Sequence, residues 1–147
     1  MRAADQFHVG IVVDDLEATL EHLTALFGYE WAPEIGGPTA VLLPTGPAEP
    51  ELRFAYSRTV PRLEVIRSVP GHPVWQPATS GIHHLGYWSD DVAADSAALV
   101  ARGYELEVTG ARPDGTPYWA YHRPAHGPRI ELVSREVQSG LERLWAS

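Results

Sequence analysis

The chain has no cysteine. That excludes a disulfide framework and any thiolate metal site, so a transition metal would have to be held by histidine, aspartate or glutamate. Long apolar runs are missing too. The opening MRAADQFHVG is too polar for a signal peptide or a membrane span, which argues for a cytoplasmic protein with no membrane partner. Positive charge is in short supply: Lys and Arg together number 11 against 19 Asp and Glu, for a formal charge of −8. An acidic balance argues against a nucleic-acid partner. It is compatible with a small cationic ligand, although acidic surfaces also serve solubility alone. What remains is ordinary for a globular protein: 147 residues, 44% of them hydrophobic, suit a single domain over residues 1–147 with a sizeable core. Five Trp and six Tyr are generous for that size, and some of them are available to line a pocket.

The chain reads as two copies of one unit. HVGIVVDDLEA (His8 to Ala18) aligns with HLGYWSDDVAA (His84 to Ala94) at an offset of 76 residues, matching His8 with His84, Gly10 with Gly86 and Asp14-Asp15 with Asp90-Asp91. GYE recurs at Gly28 and Gly103, and each copy closes on a similar segment, RLEVIRS (Arg62 to Ser68) and RIELVSR (Arg129 to Arg135). Within a copy the pattern is strand, helix, then strands. FHVGIVV alternates, with Phe7, Val9, Ile11 and Val13 on an apolar face and His8, Gly10 and Val12 on the other. Asp14 and Asp15 are N-cap residues, with Glu17 placed for a capping box, and Leu16, Leu20, Leu23 and Phe27 make a helical stripe ending at Gly28. YEWAPEI, LRFAYSR, YELEVTG and PYWAYHR read as further strands, and the Pro/Gly-rich stretch after Gly36 has room for a hairpin through TAVLL. Module one is expected at about 7–68, a turn-rich linker at 69–80, module two at about 81–135 and a C-terminal helix at about 136–146, docked on the body or on a partner subunit. The fold class expected is α+β: paired βαβββ modules forming a curved eight-stranded mixed sheet around a central cup, with helices outside.

The register decides where polar residues point. Helices must cover the apolar strand faces, so His8 and His84 look into the cup. In the closing strands Leu63 and Val65, like Ile130 and Leu132, face the helices, which turns Glu64 and Glu131 inward. A carboxylate in the middle of an apolar strand needs a partner or a shifted pKa. Each glutamate has a nearby arginine to pair with, Arg62 or Arg129, but the simplest arrangement that satisfies all four residues is a shared divalent metal ion, Ni, Co, Mn, Fe or Zn. His83, next to His84, falls on the helix side or at the strand's mouth, where packing or a hydrogen bond is its role. Trp88 shares the His84 face and is a candidate pocket wall, with Trp119 and Tyr121 as companions. His122 and His126 in YHRPAHGP form a weaker metal pair, since proline and glycine between them favour a loop. Glu49 and Glu51 read as loop charges, and His22 and His72 as surface residues.

HVGIVVDDLEATLEHLTALFG and HHLGYWSDDVAADSAALVARGYELE, closed by RIELVS, resemble the vicinal oxygen chelate superfamily, which includes glyoxalase I, methylmalonyl-CoA epimerase, extradiol dioxygenases, fosfomycin-resistance enzymes and bleomycin-binding proteins. The resemblance runs from about Phe7 to Arg135 and implies the paired-module fold. It carries metal ligation over to His8, Glu64, His84 and Glu131, and it implies a homodimer. The HHLGYW…DD stretch is most similar to the methylmalonyl-CoA epimerase-like group, whose members usually have glutamine in place of Glu64. The His/Glu/His/Glu set is more like bacterial glyoxalase I, yet the positions that hold arginine and asparagine for glutathione in those enzymes are Val12 and Ser68 here. The activity implied is that of a divalent-metal-dependent isomerase, epimerase or lyase, working through an enolate or enediolate on a small oxygenated substrate. Glu131 is the first choice of base and Glu64 a second on the opposite face. The alternatives are a non-catalytic antibiotic-binding protein of the bleomycin-resistance type and an extradiol-type dioxygenase.

Overall fold

A computed structural model describes residues 1–147. The chain runs β1 (Gln6–Val13), α1 (Leu16–Phe27), β2 (Ile35–Pro38), β3 (Val41–Leu43), β4 (Gly46–Ala48), β5 (Glu51–Tyr56), β6 (Leu63–Arg67), β7 (His84–Ser89), α2 (Val92–Ala101), β8 (Glu105–Ala111), β9 (Pro117–Arg123), β10 (Arg129–Ser134) and α3 (Gln138–Ala146). All ten strands belong to one mixed sheet, in the order β2-β5-β6-β1-β7-β10-β9-β8-β3-β4. The α+β class stands, with ten strands where eight were expected. The difference lies in the Pro/Gly-rich stretch, which supplies the β3–β4 hairpin. YEWAPEI is not a strand: only Trp31 makes an isolated bridge, to Ser57, before β2 begins at Ile35. Pro33, with no N–H to give, interrupts the ladder between them.

Two antiparallel strands, β1 and β7, form the middle of the sheet, and each is flanked by a parallel neighbour, β6 and β10 respectively. Sheet curvature follows from chain length alone. β2 is one edge and β3 lies next to the other, yet Pro38 and Val41 are separated only by Thr39 and Ala40. Three Cα steps reach at most about 11 Å. The two ends of the sheet are therefore drawn together into a strongly curled half-barrel, with β3 pairing to β8 through Val41↔Gly110 and Leu42↔Thr109.

The concave side holds a cluster of Val12, Val41, Leu52, Ile66, Val74, Trp75, Val108 and Tyr121. On the convex side Val92 and Leu99 of α2 pack on Ala120 and Leu132. Full burial of a side chain such as Leu132 contributes roughly 1.5–3 kcal/mol. α1 and α2 start where aspartate caps them: Asp15 accepts from Ala18 N–H and Asp91 from Ala94 N–H, each at 2.9 Å. Asp14 is not a cap; it accepts instead from the Ser68 hydroxyl at 2.7 Å. The expected α1 stripe is covered unevenly: Leu16 is fully buried, Leu20 and Leu23 are half-buried, and Phe27 is 70% exposed. No helix is long and apolar enough to cross a membrane.

Candidate metal centre

At the centre of the β1–β7 pair, Gly10 stands opposite His84 and Gly86 opposite His8. A Cβ on Gly10 would lie 1.9 Å from the His84 ring, and one on Gly86 would lie 2.0 Å from the His8 ring. Each imidazole thus lies across the bare backbone of the facing strand. The repeated His-x-Gly pattern sets this up: the histidine two residues before each glycine uses the gap that the other glycine leaves. Glu64 on β6 pairs in register with Gly10, and Glu131 on β10 with Gly86. One carboxylate therefore comes from each side of the central pair.

The four side chains meet. His8 Nε2 and His84 Nε2 are 2.8 Å apart. Glu64 Oε2 is 3.1 Å from His84 Nε2 and 3.5 Å from His8 Nε2, while Glu131 Oε2 is 3.1 Å from His8 Nε2 and 3.4 Å from His84 Nε2. One potential ligand atom from each of the four lies within 4.8 Å of every other. All four residues are buried. Both Oε2 atoms nevertheless lack a well-formed hydrogen bond. Nitrogens and oxygens so close, yet not aligned on one another, point at a common centre. Ligand atoms at right angles and about 2.0–2.2 Å from a single ion are about 3 Å apart, which is the spacing found. Two neutral imidazoles and two carboxylates suit a borderline divalent ion and balance its charge, so the donor set fits a metal.

Without an ion the same closeness is resolved by protons. Burial disfavours the His8 imidazolium, but the charge of Glu64 and the close approach of both carboxylates to its Nε2 prevail and lift its pKa to about 9. His84 is likewise disfavoured by burial but raised by the two carboxylates. Burial pushes the Glu64 and Glu131 carboxyls up, and the histidines more than offset this, so both are held below the usual carboxylate range. Arg62 and Arg129 play no part. Arg62 lies over the Trp145 ring, 3.7 Å from its centre, and Arg129 pairs with Glu107.

His83 has a definite place. Its Nε2 is 2.7 Å from the Val74 carbonyl and its Nδ1 is 2.9 Å from His84 Nδ1. A carbonyl only accepts, so His83 Nε2 carries a proton. Burial drives the His83 pKa down to about 4, so the ring is neutral and its Nδ1 accepts. His84 Nδ1 must then donate, and the remaining nitrogen, His84 Nε2, offers its lone pair to the centre. His8 has no counterpart: its Nδ1 is buried without a partner.

A cavity of about 270 Å³ opens over Glu64 and Glu131. Trp119 and Tyr121 line it, Trp119 by laying its indole where a Cβ on Gly110 would be. Trp88 does not. A bulge between Gln6 and His8 turns Phe7 away from the helix side expected for it, and Phe7 stacks on Trp88 with centroids 3.7 Å apart. His122 is buried on α2's side, 2.6 Å from Ser96 Oγ, and His126 is exposed. Glu49, Glu51 and His22 are exposed, and His72 is half-buried against Trp75. Sequence reasoning missed Trp75, which comes from the 69–80 segment, is 1% exposed and walls the cavity. Its signal was the apolar pair Val74-Trp75 among turn formers. It also missed Tyr56, which alternation places on the same face as Phe54, and Val137 and Leu141, through which the C-terminal segment roofs the cavity.

Residues 7–121 match a family model described as the Glyoxalase/Bleomycin resistance protein/Dioxygenase superfamily. Among solved structures, the methylmalonyl-CoA epimerase from Mycobacterium tuberculosis superposes with a TM-score of 0.57 at 20% identity, over 95% of this chain and 97% of that one. A variant of the Streptomyces coelicolor methylmalonyl-CoA epimerase in complex with 2-nitronate-propionyl-CoA gives 0.53 at 19% identity, over 88% and 96%. A hypothetical protein from Bacillus halodurans gives 0.55 at 14%, over 88% and 93%. A search of curated proteins returns no match. These structural likenesses concern the fold, whereas the family match spans most of the sequence, including His8, Glu64 and His84: the chain belongs to the glyoxalase/bleomycin resistance protein/dioxygenase superfamily.

Proposed function

We propose that this protein is a divalent-metal-dependent isomerase or epimerase that moves a proton next to a carbonyl group of a small oxygenated substrate. The observation that carries the reading is the convergence of His8, Glu64, His84 and Glu131 on one point at the floor of a cavity. When bound there, a divalent ion supplies Lewis-acid polarisation of a substrate oxygen. The chain does the rest. Glu131 takes the proton: the C–H bond breaks, its electron pair enters the C=C bond of an enolate or enediolate, and the proton passes to the carboxylate. Return of that proton to the neighbouring carbon isomerises the substrate. Inversion of the carbon instead needs Glu64, on the opposite flank of the β1–β7 pair, to have taken a proton from water, which it gives to the far face while Glu131 keeps the one it removed. In the metal-free protein the histidines hold both carboxyls ionised, so either can serve as the acceptor.

The test joins metal analysis to proton exchange. Purified protein reconstituted with Ni, Co, Mn, Fe or Zn is expected to retain one ion per chain, and His84→Ala to lose it. Substrate-type carbonyl compounds incubated in D2O are expected to exchange the proton beside the carbonyl. Glu131→Gln, which keeps a ligating oxygen and removes the base, should slow exchange by about 10²–10⁴-fold. Failure to hold any ion after reconstitution defeats the proposal. Tight ligand binding with no exchange favours the antibiotic-sequestering alternative.

A further inference from the structure

We infer that the substrate carries an uncharged apolar arm about the size of one aromatic ring, and that acyl-CoA esters are not substrates of this chain. The inference rests on the metal-dependent proton transfer proposed above and adds the identity of what is bound beside the reacting carbons.

Of the 15 residues lining the cavity, 12 are hydrophobic, and Thr39, Glu64 and Glu131 are the others. The two glutamates belong to the metal centre. Everything above them is a wall of rings and branched side chains, with Phe54, Trp75, Trp119 and Tyr121 facing Ile66 and Val133. A cavity of about 150 Å³ with such walls admits benzene. The 270 Å³ found here holds a ring and a head of a few atoms seated on the metal centre.

Charge opposes the larger candidate. A CoA ester brings a pyrophosphate and a further phosphate, which proteins hold with unpaired arginine or lysine. The chain has no lysine at all, and no arginine lines the cavity. Arg67 follows the lining residue Ile66 on β6 and so points to the opposite face of the sheet. Two other arginines beside lining residues are taken. Arg53, next to Leu52 and Phe54, binds Glu34 at 2.6 Å and Glu17 at 2.9 Å. Arg112, 5.7 Å from the centre of the Tyr118 ring, binds Glu136. Arg143 is two positions from Leu141 on α3 and so projects from a different face. The net charge of −8 opposes a polyanion further.

The probe is 2-hydroxyacetophenone, which is neutral, has adjacent carbonyl and hydroxyl oxygens, and carries exchangeable CH2 protons between them. Hydroxyacetone has the same head without the ring, and methylmalonyl-CoA is the charged comparison. With the cobalt-reconstituted full-length protein in D2O, NMR follows loss of the proton signals. Tryptophan fluorescence of the metal-free protein follows binding separately. Expected are exchange of 2-hydroxyacetophenone at least tenfold faster in kcat/KM than hydroxyacetone, no exchange of methylmalonyl-CoA, and quenching by the ring compound alone. Val133→Phe, which fills the cavity, should weaken that quenching at least tenfold with metal content retained. Equal exchange of the two ketols, or faster exchange of methylmalonyl-CoA, overturns the inference and leaves the proton-transfer reading intact. Quenching by the ring compound with exchange of nothing overturns the proton-transfer reading and upholds the apolar site.

Discussion

Two imidazole nitrogens at 2.8 Å need a proton or a cation between them, and this competition sets the pH dependence of metal uptake. His8 in the metal-free protein has its pKa raised to about 9, so below that pH it is protonated and must release the proton to ligate. Metal affinity is therefore expected to rise with pH, by about tenfold per unit for each proton displaced, and to flatten above about pH 9. Titration calorimetry in buffers of different ionisation enthalpy measures both the trend and the proton count. The outer support of His84 is separately testable. His83→Phe removes the acceptor that fixes the His84 tautomer and should weaken metal binding by about 10–100-fold. His83→Gln, whose amide both donates to Val74 and accepts from His84, should restore most of it. The d–d spectrum of the cobalt form reports whether the ligand set itself has changed. At this scale the sequence was informative: alternation alone turns His8, His84, Glu64 and Glu131 the same way. The role of His83 was not readable, because its partner is a carbonyl nine residues earlier in an irregular segment.

Among elements, the central β1–β7 pair is the most demanding. Gly10 and Gly86 appear in the sequence only as a matched pair, and their purpose depends on cross-strand register, which no single strand reveals. Gly86→Ala would place its Cβ 2.0 Å from the His8 ring. The ring must move, so metal affinity should fall at least about tenfold while circular dichroism still reports a folded sheet. Gly10→Ala should do the same through His84. The departures from expectation are also matters of register. The bulge before His8 sends Phe7 to Trp88, and bulges leave no mark in hydrophobic alternation. Trp75 lies in a stretch whose proline and glycine content reads as a linker, and tertiary packing draws it inside.

Across the whole molecule, one carboxylate ties the N-terminal segment to the residue that follows β10. Asp5 accepts from Arg2 and, at 2.9 Å, from Arg135, and the hydrogen bond from Arg2 leads in holding its pKa down to about 2. Asp5 is deprotonated in the folded protein at pH values where the unfolded chain, with a pKa near 3.9, already binds a proton. Its stabilisation is therefore present above about pH 4 and is lost as pH falls toward about 2. Asp5→Asn should lower the melting temperature at pH 7, and the gap to the unsubstituted protein should close across that window. The overall class was legible from the internal repeat. The closing hairpin was foreseeable only as a hairpin, since nothing local to Val41–Ala48 names β8 as its neighbour. That neighbour has a consequence in time. Pairing Val41 with Gly110 joins positions 69 apart in the chain and draws on both halves of the sheet, so this contact is expected to be among the last to form. Being short and at an edge, it should also be among the first to open, and amide hydrogens of Val41–Leu43 should exchange with solvent well before those of β1 and β7. The vessel is shaped before it is sealed, which gives a metal ion and a ligand a route to the floor without unfolding the strands that hold it.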